Sequence, residues 1–519
     1  MTGTGITSAG TEPTVVTTAA RRRVLTALLL SMALAAVDTT IVATAVPSIV
    51  HDLGGFGAFP WVFSAYLLAQ AVTIPLYGKF ADLFGRKPVL LVGIGLFLVG
   101  SVLCGSATGM TSLIVFRAVQ GLGAGAVQPV TTTIVADIYS LEERGRVQGY
   151  LSSVWAVTAV CGPALGGLFA EYDAWRWIFF VNIPLGLVAA ALLHRNLTES
   201  PVRREHRLDV AGATTLAVGL GLVVFALLRM GNGWSWTSPA ALTTLGLGAA
   251  GLVTFGAVER RAAEPIMPGF VFGRRMLVTG NASAFCVGAL LFGLSSYLPT
   301  YAQGVLGASP FVAGLTVAAI SVSWSVSATA SSRLYLRAGF RTGAVIGGVC
   351  CVGGAVMFAS LSAGSPVAAS VAACLVVGLG LGFAFTTVLV AVQTSVRWER
   401  RGVVTGANMF TRAIGSALGV AVLGSIANST VTDALDRLPP GTDVPHSLDA
   451  AARVLGGSAT SLPAEAVQFL RQSLFDATHN VFVALVVVAV AMLAAQLMMP
   501  ARDDPGEPVA ADAARRSDH

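Results

Sequence analysis

Fourteen stretches of this chain are apolar for long enough to cross a lipid bilayer, and nothing else in the sequence constrains the fold as tightly. A spanning helix takes roughly 20 mostly apolar residues. Runs of that kind cover residues 24–46, 61–78, 89–107, 112–135, 148–169, 177–193, 210–228, 240–257, 277–301, 311–330, 343–361, 366–390, 403–427 and 478–499. Hydrophobic residues make up 55% of the 519 positions and charged residues 11%, and the mean hydropathy is +0.76. In lipid the backbone must satisfy its own hydrogen bonds, so runs of this length are helices. The expected fold class is an all-α polytopic membrane protein. A soluble enzyme, a secreted disulfide scaffold and a nucleic-acid-binding domain are excluded together.

The basic residues orient the chain. An even number of spans puts both termini on one side. Of the 32 lysines and arginines, 25 fall on the side of the N-terminus, five (Arg176, Arg229, Arg437, Arg453 and Arg471) fall on the other, and Arg117 and Arg412 lie within spans. Basic loops mark the cytoplasmic face, so both termini are expected in the cytoplasm. The isoelectric point of 9.2 is thereby explained without nucleic acid. Arginine at 30 of the 32 basic positions, with heavy use of Ala, Gly and Val, points to a GC-rich bacterial genome, and the expected location is a bacterial plasma membrane.

The chain also repeats itself. The loop at 141–149 returns at 398–406, where Glu142, Arg144, Gly145, Val147 and Gly149 match Glu399, Arg401, Gly402, Val404 and Gly406 at an offset of 257. Gly121, Gly123 and Gly125 return as Gly378, Gly380 and Gly382 at the same offset, and Lys79, Gly85 and Lys87 return as Arg333, Gly339 and Arg341 at an offset of 254. Two copies of a six-helix unit follow, spans 1–6 and 9–14, with spans 7 and 8 inserted. The expected boundaries are a tail at 1–23, a bundle at 24–193, linker helices within 194–276, and a second bundle at 277–499 with an external loop at 428–477. A tail at 500–519 closes the chain. Parallel halves with a site between them are how rocking secondary transporters are built.

Five stretches narrow this further. The loop Gly78-Lys79-Phe80-Ala81-Asp82-Leu83-Phe84-Gly85-Arg86-Lys87 joins spans 2 and 3. Arg117-Ala118-Val119-Gln120-Gly121-Leu122-Gly123 opens the middle of span 4, and Gly162-Pro163-Ala164-Leu165-Gly166-Gly167 lies in span 5. Asp38-Thr39-Thr40-Ile41-Val42 lies in span 1, and Trp175-Arg176-Trp177 with Asn182-Ile183-Pro184 marks span 6. Together and in this order they resemble the major facilitator superfamily, in particular its fourteen-span drug:proton antiporters. The resemblance implies a bacterial exporter of drugs or antibiotics. Gly78, Asp82, Gly85, Arg86 and Lys87 would form a cytoplasmic gate, and Gly162, Pro163, Gly166 and Gly167 would mark antiport. Leu83 departs from the pattern, which usually has a basic residue after the aspartate.

The residues themselves point the same way. A charge as deep as Asp38 costs about 2.5–3.5 kcal/mol. Either Asp38 is a neutral structural acid or it binds and releases a proton, and the second reading explains why an acid is kept there. Arg117 is its natural counter-charge, or else a structural arginine holding carbonyls. Arg412 in span 13 fits contact with an anionic group or with the other half equally well. Tyr66, Gln70, Trp155, Phe285, Tyr297, Trp324 and Arg412 are candidates for the substrate cavity, with packing as the competing reading of the aromatic ones. Asp38 is the carboxylate away from span ends, which predicts a neutral or monocationic substrate. No Gly-x-x-x-x-Gly-Lys-Ser/Thr loop occurs, so an ion gradient is the expected energy source. No cofactor or metal is expected, and the six histidines are scattered through loops, tails and span ends. A monomer in the bilayer that exchanges protons for small molecules is the leading reading. A carrier of one metabolite (a siderophore, a lipid or a self-made antibiotic) is the alternative, and a membrane-embedded enzyme a remote one.

Overall fold

A computed structural model describes residues 18–500, apart from 140, 198, 200–208, 231–233, 235, 236, 263, 264, 266, 268, 398, 399 and 438–463. Among the described residues there are fourteen helical spans and no strands. The first half comprises α1 (Thr18–Leu53), α2 (Phe59–Phe84), α3 (Arg86–Gly105), α4 (Met110–Ile138), α5 (Leu141–Glu171) and a broken sixth span, α6 (Trp177–Phe180) and α7 (Asn182–Asn196). The inserted pair is α8 (Val210–Met230) and α9 (Pro239–Glu259). The second half comprises α10 (Arg275–Thr300), α11 (Pro310–Ala338), α12 (Phe340–Ala359), α13 (Val367–Thr394), α14 (Arg401–Asp436) and α15 (Ala464–Leu497).

Three ends differ from the sequence expectation. Residues 18–23 already belong to α1 rather than to a tail. The expected loop 428–477 loses both flanks to helix, because α14 continues to Asp436 and α15 begins at Ala464. Helices that pack on neighbours can outrun the hydrocarbon layer, whereas an apolarity window stops at its edge. Residues 1–17, 438–463 and 501–519 lie outside the described residues.

The duplication is visible in the packing. In the first half α4 packs on α2 and α3 while α1 packs on α5; in the second, α13 packs on α11 and α12 while α10 packs on α14. The halves meet along α5–α11, α2–α14 and α1–α10, and α8 lies against both α2 and α14. Two of these seams have close contacts on the arginine-poor side. There a β-carbon added to Gly167 of α5 would come within 2.6 Å of the Pro310 carbonyl oxygen, so only glycine allows α11 this close. On the second seam Asn428 Nδ2 donates to the Gly57 carbonyl at 2.7 Å, and Ser64 Oγ donates to the Ala417 carbonyl at 3.3 Å. The two halves are therefore in direct contact on the arginine-poor side.

Candidate functional site

The site begins with a helix of small and apolar residues that carries one acid. Asp38 is 0% exposed in the middle of α1, where a bare carboxylate would be costly without partners. It has three. Arg117 Nη1 donates to Oδ2 at 2.6 Å, Gln120 Nε2 donates to Oδ1 at 2.7 Å, and Asn182 Nδ2 donates to Oδ1 at 3.1 Å. Arg117 and Gln120 are three residues apart on α4 and so share a face. Asn182 opens α7, which packs on α1 and α3.

A second ring of contacts holds these donors. Ser101 Oγ accepts from Gln120 Nε2 at 2.8 Å and from Asn182 Nδ2 at 3.3 Å. Gly100 makes that reach possible, since a β-carbon there would stand 2.6 Å from Gln120 Cα. Arg117 also donates through Nη1 to Gln120 Oε1 at 2.6 Å and through Nε to the Val62 carbonyl at 3.2 Å. Its guanidinium lies 4.0 Å from the centre of the Tyr66 ring, a cation–π contact strengthened by dehydration. The whole assembly is a closed polar core in apolar surroundings. Its geometry suits an ionised carboxylate, because both oxygens accept and neither has a donor role to fill.

The acid is mechanically tied to the seam between halves. Two turns of α1 around Asp38 rest on α5, with Thr40 Oγ donating to the Thr158 carbonyl and Thr44 Oγ to the Pro163 carbonyl, each at 3.3 Å. Gly162 and Gly166 lie against Thr40 and Ile41, while Pro163 and Gly167 lie against Gly314 and Pro310 of α11. The antiporter-like motif thus joins α1 to the second half.

The remaining candidates are dispersed. Tyr66 and Tyr297 are each 1% exposed and pack rather than line an open space: Tyr66 lies beside Arg117, and the Tyr297 ring meets Phe59 at 5.3 Å in a tilted pair near the α2–α14 seam. Gln70, Trp155, Phe285, Trp324 and Arg412 are half-buried. Trp324 and Arg412 come together around Phe385, which no sequence pattern singles out. In the signature loop, Gly78 lies within α2 and Gly85 forms the turn to α3 with φ of 94°. The side chains of Lys79 and Asp82 lie outside the described residues. Arg86 pairs with Asp137 at 3.1 Å, and the Lys87 ammonium donates to the His194 carbonyl at 2.8 Å. Glu199 accepts the backbone N–H of Arg86 at 2.7 Å and of Lys87 at 2.9 Å, capping α3 from a segment that sequence reading left without a role. Among the described residues no group of three or more His, Cys, Asp or Glu could hold a metal.

Comparison with known proteins gives a consistent picture. The sequence profile described as Major Facilitator Superfamily matches residues 28–420. The chain is 32% identical over 458 residues to the multidrug transporter protein MdtP of Bacillus subtilis, covering 88% of this chain and 84% of that protein. It is also 32% identical over 481 residues to the efflux pump dotC of Dothistroma septosporum, covering 91% of this chain and 82% of that protein. Among solved structures, an inward-facing bacterial homolog of the human lysosomal transporter Spinster superposes with a TM-score of 0.63 at 16% identity, covering 93% of this chain and 98% of that one. A D-xylose–proton symporter superposes with a TM-score of 0.58 at 13% identity, covering 87% and 97%. These last two are likenesses of fold.

Proposed function

The chain belongs to the major facilitator superfamily and is a transporter, not an enzyme, and from this premise we propose that it exports small amphipathic compounds in exchange for protons. The names of its relatives, multidrug transporters and efflux pumps, support export. The excess of arginine on one side supports placing that side and both termini in the cytoplasm of a plasma membrane. The single observation that carries proton coupling is Asp38, a fully buried acid that meets a guanidinium and two amides.

In the arrangement described, Asp38 is sealed from solvent and held by three donors. A proton reaches it only when α1 and α4 part. Protonation removes its charge and so weakens its hold on Arg117, and Thr40 and Thr44 pass the movement of α1 to α5 and from there to α11. Binding the proton from outside and releasing it inside thus alternates the seams. Substrate occupies the space between the halves and leaves on the outward-facing limb of the cycle. One chain suffices for this cycle.

The test is Asp38→Asn, which keeps the shape and cannot titrate. In proteoliposomes with an imposed proton gradient, export of a fluorescent dye is expected to fall to the level of empty vesicles, with the variant eluting as a folded species. Undiminished gradient-driven export would reject the assignment.

A further inference from the structure

Arg412 is a charge the coupling core does not use. In the spans read from the sequence, the charges away from the ends are Asp38, Arg117 and Arg412. Asp38 and Arg117 neutralise one another at 2.6 Å. Arg412 is left over. Its Nε is sealed from solvent without a hydrogen-bond partner, and no acid of the described residues pairs with it. An arginine kept at this depth without an acid beside it among the described residues is unfavourable, and an anionic ligand would relieve that cost.

Its surroundings say what kind. The guanidinium stands 5.3 Å from the centre of the Phe385 ring, and Phe385 stands 5.7 Å from the Trp324 ring. One turn earlier on the same face of α14, the Met409 sulfur meets Gln128 Nε2 of α4 at 3.3 Å. This stripe of α14 therefore faces the first half and not the lipid. Arg412 is half-buried there, beside two aromatic surfaces contributed by α11 and α13.

We propose that Arg412, Phe385 and Trp324 form an anion subsite for an amphipathic substrate that carries one carboxylate or similar group on a planar aromatic body. This deepens the export reading, and it rests on the inter-half space being where substrate binds. It departs from the expectation of a neutral or monocationic substrate. That expectation needed Asp38 free to pair with the cation, and Arg117 already occupies it. Exchange of one entering proton for one leaving monoanion moves two charges inward, so the membrane potential drives it.

The test measures binding by purified protein in phosphatidylcholine nanodiscs, without a gradient. The probes are labelled naphthaleneacetate and its cationic match, naphthylmethyl-trimethylammonium. Naphthaleneacetate is expected to bind more tightly than the cation. Arg412→Gln is expected to weaken it by about tenfold or more, as for loss of a charge-assisted hydrogen bond, and Arg412→Lys by less. Phe385→Ala is expected to weaken both probes, since each stacks through the same ring system. Unchanged naphthaleneacetate affinity in Arg412→Gln, or tighter binding of the cation by the unmodified chain, overturns the proposal. Loss of naphthaleneacetate binding when phosphatidylglycerol is added to the nanodisc assigns the guanidinium to a lipid headgroup and also overturns it. Because no gradient is applied, failure of proton-driven export in proteoliposomes would strike the coupling mechanism and leave this result intact.

Discussion

The middle of the first half and the middle of the second half share a backbone and differ in chemistry. At the α3–α4 contact, Gly100 lies against Gln120; at the α12–α13 contact, Gly354 lies against Val377. Gly93 faces Gly123 and Ala126, as Gly347 faces Gly380 and Ala384. The same offsets that align these glycines place Cys374 where Arg117 stands, Val377 where Gln120 stands and Ala355 where Ser101 stands. All three replacements are buried and apolar or nearly so. Duplication has therefore kept the close helix approach, which depends on small residues, and left the polar core in one copy. The second copy keeps Arg412 instead, outside its own core and facing the first. The division separates a half that holds the buried ion pair from a half whose buried arginine has no acid beside it among the described residues.

The largest expected consequence is an asymmetry in truncation. Arg117→Ala leaves Asp38 buried without its guanidinium and is expected to destabilise the protein by about 3–5 kcal/mol. Cys374→Ala, at the aligned position, removes one sulfur from an apolar contact and is expected to cost about 1 kcal/mol. Unfolding in mixed detergent micelles compares them, and equal losses would break the contrast.

A smaller and symmetric effect is expected at the glycines. Gly100→Ala puts its methyl 2.6 Å from Gln120 Cα, and Gly354→Ala puts its methyl 2.9 Å from the Val377 backbone nitrogen. Each is expected to cost about 1–3 kcal/mol through overpacking. The same unfolding assay reads both, and a loss confined to one half would show that the two backbones are not equivalent after all. Gly100→Ala should in addition lower gradient-driven export, because it moves Gln120 from Ser101; Gly354→Ala meets no polar side chain there.

The smallest difference concerns the turns before α3 and α12. Gly85 and Gly339 both have positive φ, at 94° and 84°. The first is followed by a helix start capped by Glu199, whereas α12 starts without a side-chain cap. Glu199→Gln is expected to cost about 1 kcal/mol and to raise cysteine labelling around the α2–α3 turn. Labelling no faster than in the unmodified chain would remove Glu199 from any role in holding that turn.

The sequence by itself determined the membrane fold, the fourteen spans, the internal duplication and the position of the buried acid. These are one-dimensional signals: apolar length, charge imbalance, repeated spacing, and the high cost of a lone charge in lipid. It also paired Asp38 with Arg117, since few other charges lie within the spans. Tertiary structure alone decided which neutral groups complete the core. Ser101 is one serine in an apolar run, and Asn182 gains its role only because the sixth span packs against α1 and α3, which brings its amide to Asp38. It likewise withdrew Tyr66 and Tyr297 from the open cavity and brought Phe385 beside Arg412. Whether a residue packs, pairs or stands unpaired depends on which faces of different helices meet, and helical periodicity within one segment carries no information about the rotation of its neighbours.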